Sequence, residues 1–222
     1  MSSRAPVVLE VWDPRAGYSH EMVFRRWFRK RRILRAGDFG WLVLMRRGAL
    51  GQESFLPGAV LELLLRRICE AYGFHDFTLL VCGGTKRQVM RRPPPSGWCW
   101  VKRGGQLALY CVSEAAISEC SRFFDERSCH GQVWHFFLGT DRVDVDAAIR
   151  AQNVGIDLFT APPLSWRVLL LVDTEMGIVL SWLPVGRECD GLLARLSSED
   201  LVRLCIPRSS GKETLWGQSA LA

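Results

Sequence analysis

No run of eighteen or so uninterrupted apolar residues occurs in this chain, so no ordinary membrane-spanning helix is expected. The N-terminus, MSSRAPVVLEVWDPR, lacks an apolar core followed by a small-residue cleavage site, so no signal peptide is expected and a cytosolic or nuclear location follows. There is no C-x-x-C pair, no G-x-S-x-G, no H-E-x-x-H and no complete G-x-x-x-x-G-K, and four scattered His offer no pairing. DFG at 38–40 stands without a glycine-rich loop or H-R-D and reads as a turn, and CGGTKR at 82–87 lacks phosphate-loop spacing. Neither a cofactor nor a catalytic residue is expected. Cys111, Cys120 and Cys129, followed by His130 and His135, are the nearest approach to a metal set. Cys111 falls in an apolar strand, and reduced buried cysteine is the commoner state, so all eight Cys are expected to be thiols and no metal is expected.

What the chain does have is aromatic bulk and uneven charge. Nine Trp and eleven Phe in 222 residues supply core area and favoured interface anchors. At 48% hydrophobic and 23% charged, the composition is that of a globular protein. Residues 1–103 hold 19 Lys/Arg against 8 Asp/Glu, a balance of +11, and residues 104–222 hold 10 against 15, a balance of −5. The overall +6 therefore conceals a basic front and a mildly acidic back, which points to an acidic partner for the front.

VVLEVW alternates as a strand that Asp13-Pro14 ends. EMVFRRWFRKRRILR places Phe24, Trp27, Phe28 and Leu34 near helical spacing, with Gly37 as C-cap, and predicts a basic amphipathic helix. Trp41–Met45 reads as a strand, and AVLELLLRRICEAYG as a helix between Pro57 and Gly73. Residues 1–73 thus form a basic N-terminal segment with two helices.

From residue 74 one order of elements occurs twice. FTLLVCGG is a strand, TKRQVMRRPPPSG a basic Pro-rich loop, WCWV and QLALYCV a hairpin around Gly104-Gly105, and SEAAISECSRFF a helix capped by Ser113. In the second copy VWHFFLG is the strand, an insertion with DVDAAIRAQN leads to TAPPLSW, WRVLLLV and IVLSWL form the hairpin, and CDGLLARLSSEDLVRLC is the helix. Each hairpin follows Pro-Pro-x-x-Trp, ending at Trp98 and at Trp166. The expected fold is α+β: two approximate strand–hairpin–helix repeats over 74–130 and 131–208, with mainly antiparallel sheet, after the basic N-terminal segment. Residues 209–222 form a polar tail, and a single compact domain would accommodate all of these parts equally well.

The run Arg25, Arg26, Arg29, Lys30, Arg31, Arg32 and Arg35 puts seven cations in eleven residues around Trp27 and Phe28. A nuclear-import signal, an RNA-binding face, a partner-docking helix and a solvated helix face all fit that density. Lys86, Arg87, Arg91 and Arg92, with Lys102 and Arg103, form a second cluster around the Pro-rich loop. Together the two clusters are the candidate polyanion- or partner-binding residues.

FTLLVCGG, PPPSGWCWVKRGGQLALY and AISECSRFF, repeated as PPLSWRVLLLVDTEMGIVLSW and LLARLSSEDLVRLC, resemble the "unique short twenty-two" family of betaherpesviruses, viral relatives of the SUKH superfamily. The resemblance covers about residues 74–206. It implies a non-enzymatic tegument or regulatory protein of host-cell cytoplasm, nucleus or virion, binding host or viral proteins, with double-stranded RNA as a further partner. Separately, GIDLFTA at 155–161, VDTEMGIVLSWLPVG and GLLARLSS at 191–198 resemble two motifs of dUTP pyrophosphatases. That resemblance would make Asp157 a magnesium-linked carboxylate and Arg195, Ser197 and Ser198 triphosphate contacts. Pro before the Arg is missing, Leu196 interrupts the Arg-Ser pair, and the uracil-pocket hairpin and glycine-rich C-terminal motif are absent, so it implies an inactive herpesvirus relic of such an enzyme.

Overall fold

A computed structural model of the protein describes residues 5–13, 15, 21–25, 31–35, 41–46, 56–83, 95, 98–103, 107–128, 132–139, 168–174 and 178–205. Eleven strands and three α-helices occupy them. The strands are β1 (Val7–Trp12), β2 (Glu21–Arg25), β3 (Arg31–Arg35), β4 (Trp41–Arg46), β5 (Asp76–Gly83), β6 (Cys99–Arg103), β7 (Leu107–Ser113), β8 (Gln132–Leu138), β9 (Val168–Asp173), β10 (Ile178–Pro184) and β11 (Val202–Cys205). The helices are α1 (Gly58–Tyr72), α2 (Ile117–Arg127) and α3 (Arg187–Ser197), and one 3-10 turn, Glu114–Ala116, precedes α2.

Nine strands form one sheet in the order β11-β1-β4-β10-β9-β8-β5-β7-β6, and β2 and β3 form a separate pair. All pairings in the large sheet are antiparallel except β1 with β11. The fold is α+β with mainly antiparallel sheet, as the strand and helix patterns predict. Strands from segments 1–73, 74–130 and 131–208 interleave within this one sheet, since β1 and β4 lie between β11 and β10.

Alternation decides what each face buries. One row of paired residues runs Val11, Leu44, Ser181, Leu170, Phe136, Leu79 and Tyr110 across seven strands. Apart from Ser181, these residues share one core with Leu61, Leu64, Leu65 and Ile68 of α1, Ile117, Cys120 and Phe124 of α2, and Cys189, Leu192 and Leu196 of α3. The three helices therefore lie on one face. The reverse row, Trp12, Val43, Leu169 and Phe137, is buried too, which suits near-continuous apolar runs such as WLVLM and VWHFFL.

Helix α1 has apolar residues at 60, 61, 64, 65 and 68, the spacing of a single stripe. Gly73 ends it at φ 69°, where a side chain would strain the backbone, and its N–H donates to the Cys69 carbonyl at 2.8 Å. At the other end the Asp125 carboxylate of α2 accepts the Gly58 N–H at 2.8 Å. One helix thus caps another. A Cβ on residue 58 would collide with that carboxylate, so the glycine is required by close approach.

Four sequence expectations need correction. Residues 21–25 and 31–35 are strands, where a helix is expected, so the basic N-terminal segment has one described helix and not two. The near-helical spacing of aromatics is outweighed by β-favouring Val23, Phe24 and Ile33, and the register sets Val23 against Ile33 and Glu21 against Arg35. Residues 202–205 continue no helix: α3 stops at Ser197, and VRLC pairs in parallel with β1. Ser113 precedes a 3-10 turn and makes no side-chain cap bond. Finally, the strand–hairpin–helix order does recur, but the pairing does not. β5 neighbours the second strand of its hairpin, β7, whereas β8 neighbours the first strand of its own, β9. The two units are therefore not equivalent in the sheet. Trp166 lies outside the described residues.

Trp98 is buried, meeting Tyr110 and Phe123 edge-on at 5.9 and 5.4 Å. Trp98→Ala should cost about 3–5 kcal/mol in denaturant unfolding, through the cavity it leaves. Asp125→Ala should cost about 1 kcal/mol. Gly58→Ala should be harmful in the native background and lose that penalty once Asp125 is Ala, a coupling that a double-mutant cycle measures.

Candidate functional site: a basic two-stranded ribbon

β1 and β4 are antiparallel neighbours in the large sheet, and the β2–β3 pair is carried in the chain that links them. The root of this excursion is tied down. Arg15 donates to both Asp13 oxygens at 2.7–3.0 Å and to Asp190 of α3 at 2.7 Å. Its guanidinium holds both carboxyls below the usual carboxylate range.

The ladder of the ribbon closes with Arg25 opposite Arg31, and Phe24 opposite Arg32 precedes it. Between the two arginines the sequence is RWFRK, so six cations, Arg25, Arg26, Arg29, Lys30, Arg31 and Arg32, fall within the eight residues 25–32. Arg35 sits at the other end, opposite Glu21. Of the candidate residues, the structure brings together Arg25, Arg31 and Arg32. Arg26, Arg29 and Lys30 lie outside the described residues, as do Lys86, Arg87, Arg91 and Arg92. Lys102 and Arg103 end β6, an edge of the large sheet.

Other polar groups cluster where helices meet. Glu62 of α1 accepts from Ser118 at 2.6 Å, from Ser121 at 3.1 Å and from Arg66 at 3.0 Å. The Ser118 bond, chiefly, lowers its pKa. Arg67 joins Glu199 at 2.5 Å and Glu70 at 2.7 Å, and Arg195 reaches Glu70 at 3.4 Å. These networks tie α1 to α2 through Glu62 and to α3 through Glu70 and Arg195.

The sites that motifs suggest are dispersed. Ser197 and Ser198 hydroxyls donate to the carbonyls of Ala194 and Arg195, and Arg195 is turned to Glu70, so the three do not converge on a triphosphate position. Asp157 lies outside the described residues. The open sheet with helices on one face differs from the jelly-roll of dUTP pyrophosphatases. Among the described residues no group of three or more His, Cys, Asp or Glu could hold a metal ion. Cys111 and Cys120 belong to opposite sides of the sheet: Cys120 is in the helix-side core, and Cys111 alternates with Tyr110 and Val112 of that core.

One contact was not read from the sequence. His135 on the reverse face lies opposite Leu80 and Leu171, stacks on Phe137 at 6.2 Å, and approaches the Cys82 thiol at 3.8 Å. Burial lowers the imidazole pKa from 6.5 to about 4 and pushes the thiol up to about 12. Both partners are therefore neutral, which is the opposite of an activated thiolate–imidazolium pair. The available signal was one polar residue at an apolar register position in each strand.

No protein-family model, no curated protein and no solved structure matches the chain.

The buried His135 sets a pH dependence. Its folded pKa lies below the unfolded value, so stability is full above about 6.5 and falls as pH drops toward 4, where the unfolded chain binds the proton first. The loss should approach about 3 kcal/mol. His135→Leu should flatten this part of the stability–pH curve, measured by denaturant melts between about pH 7 and 4.5.

Proposed function

We propose that the protein is a non-enzymatic binding protein of the viral tegument or regulatory kind that the "unique short twenty-two" resemblance implies, acting in the host cell by surface contact. The observation that carries the proposal is the ribbon: like charges, Arg25 and Arg31, stand directly opposite at its end. Such a pair opposes hairpin formation by self-repulsion, and an anionic partner relieves it. A two-stranded ribbon has the width to enter or follow a nucleic-acid groove, with its cations on phosphates. Double-stranded RNA is the partner assigned to it, read by backbone charge and shape, not by sequence. Acidic protein surfaces are the remaining partners with the right charge.

The experiment measures double-stranded RNA binding at several salt concentrations. Arg25, Arg29, Lys30 and Arg31 are replaced together by Ala. The like-charge register means that these changes should not lower the melting temperature. Binding should weaken by about tenfold or more at low salt, and the salt slope should fall by about three to four, at roughly 0.7–0.9 for each phosphate that no longer meets a cation. Unchanged affinity with an unchanged slope would remove the ribbon from the RNA interface. Tight RNA binding with no salt dependence would overturn the electrostatic reading altogether.

A further inference from the structure

We propose that Cys99 and Cys111 are a cross-strand dithiol that a small disulfide of the oxidised-glutathione class converts to an intramolecular disulfide. The two residues stand directly opposite on the antiparallel strands β6 and β7. Residues so opposed share a face of the sheet, with Cα atoms about 4.5 or 5.5 Å apart according to the ladder position. Both separations lie inside the roughly 4.4–6.8 Å that a disulfide spans.

The other described cysteines are in the wrong place for Cys111. Cys82 pairs with Leu107, four positions along β7, which is roughly 13 Å away. Cys69, Cys120 and Cys189 belong to the helix-side core, across the sheet. Cys205 is on β11, at the opposite edge.

The position in the fold gives the bond a consequence. β6 is an edge strand, and among the described residues it pairs only with β7. A strand held along one side opens more readily than one held along both. It is also where the chain enters the sheet after the basic segment holding Lys86, Arg87, Arg91 and Arg92. A disulfide fixes this edge, and reduction releases it. Cys111 is half-buried, so a small oxidant reaches it without unfolding of the core.

The exchange balances with no further reagent. The Cys111 thiolate attacks one sulfur of oxidised glutathione; that S–S bond breaks, and one glutathione leaves as a thiolate that takes up a proton. The Cys99 thiolate then attacks the Cys111 sulfur of the mixed disulfide and expels the second glutathione, which is protonated in turn. Two protein thiols are oxidised and one small disulfide is reduced to two thiols. In a reducing compartment such a bond is a transient, regulatory one.

The full chain is incubated with oxidised glutathione, remaining thiols are alkylated, and the protein is digested without reductant. Cleavage at Lys102 and Arg103 and after Glu114 separates Cys99, Cys111 and Cys120 into different peptides. A Cys99–Cys111 linked peptide is expected in the native protein. Cys99→Ser should instead leave a glutathione adduct on Cys111, with circular dichroism unchanged. Amide exchange across β6 should slow on oxidation of the native chain and not of the variant. Glutathione adducts on both cysteines of a folded protein, or Cys111 linked to any other cysteine, would overturn the proposal, as would β6 exchange that oxidation leaves unaltered.

Discussion

The pairing of β4 with β10 is the constraint on which the rest of the architecture depends. Five residues of an N-terminal strand, Trp41 to Met45, meet Leu180 to Pro184 from the far end of the chain. Without that ladder, β11, β1 and β4 would be a three-stranded sheet separate from the other six strands. With it, α1 must connect β4 to β5 across β10, β9 and β8, which places its apolar stripe over the centre of the sheet. The loop-closure entropy of so distant a pairing is lost before its burial is gained. The apolar ladder β5–β8–β9–β10 includes one short-range connection, between β9 and β10.

Burial on the helix side is sealed by polar contacts between helices. α1 lies between α2 and α3, bonded to one by Glu62, Ser118 and Ser121 and to the other by Glu70 and Arg195, with Arg67 reaching Glu199 just beyond α3. Partly exposed ion pairs contribute little each. Their geometry matters more than their energy: Glu62 accepts from two hydroxyls and a guanidinium at once, which fixes the rotation of α2 against α1. Asp125 fixes the translation, because its carboxylate caps α1 at Gly58 and the missing side chain there leaves room for it. Tyr72 adds a third tie, donating from its hydroxyl to the Pro184 carbonyl at 2.9 Å just before α3 begins.

Most elements were legible from local pattern, because local pattern made them. β1, β4, α1, both hairpins and the two strands that precede them follow from alternation, Gly turns and a single apolar stripe. The partners of those strands were not legible. Alternation says which residues share a face, but it does not say that β5 should neighbour β7 and not β6. β11 was missed for a related reason: VRLC after a helix reads as more helix unless β1 is known to present an open edge beside it. At the candidate site the composition was legible and the conformation was not. Phe24, Trp27, Phe28 and Leu34 imitate a helical stripe, yet β2 and β3 are strands. The contact of His135 with Cys82 was not legible, because the two lie on different strands and only register brings them together.

The ribbon is where local chemistry and fold stability disagree most openly. Within the large sheet, opposed positions include apolar pairs, such as Leu79 and Phe136, and its ends are tied by bonded polar pairs, such as Gln132 and Thr174 at 2.8 Å. At the end of β2–β3, Arg stands against Arg. That arrangement adds nothing to the large sheet, since the ribbon forms no ladder with it. A folded chain retains such a contradiction most easily on an element whose loss would leave the core intact, and a hairpin inserted between two already paired strands is such an element. Its register sets Arg25 opposite Arg31, and the anionic partner proposed for the ribbon would relieve that repulsion.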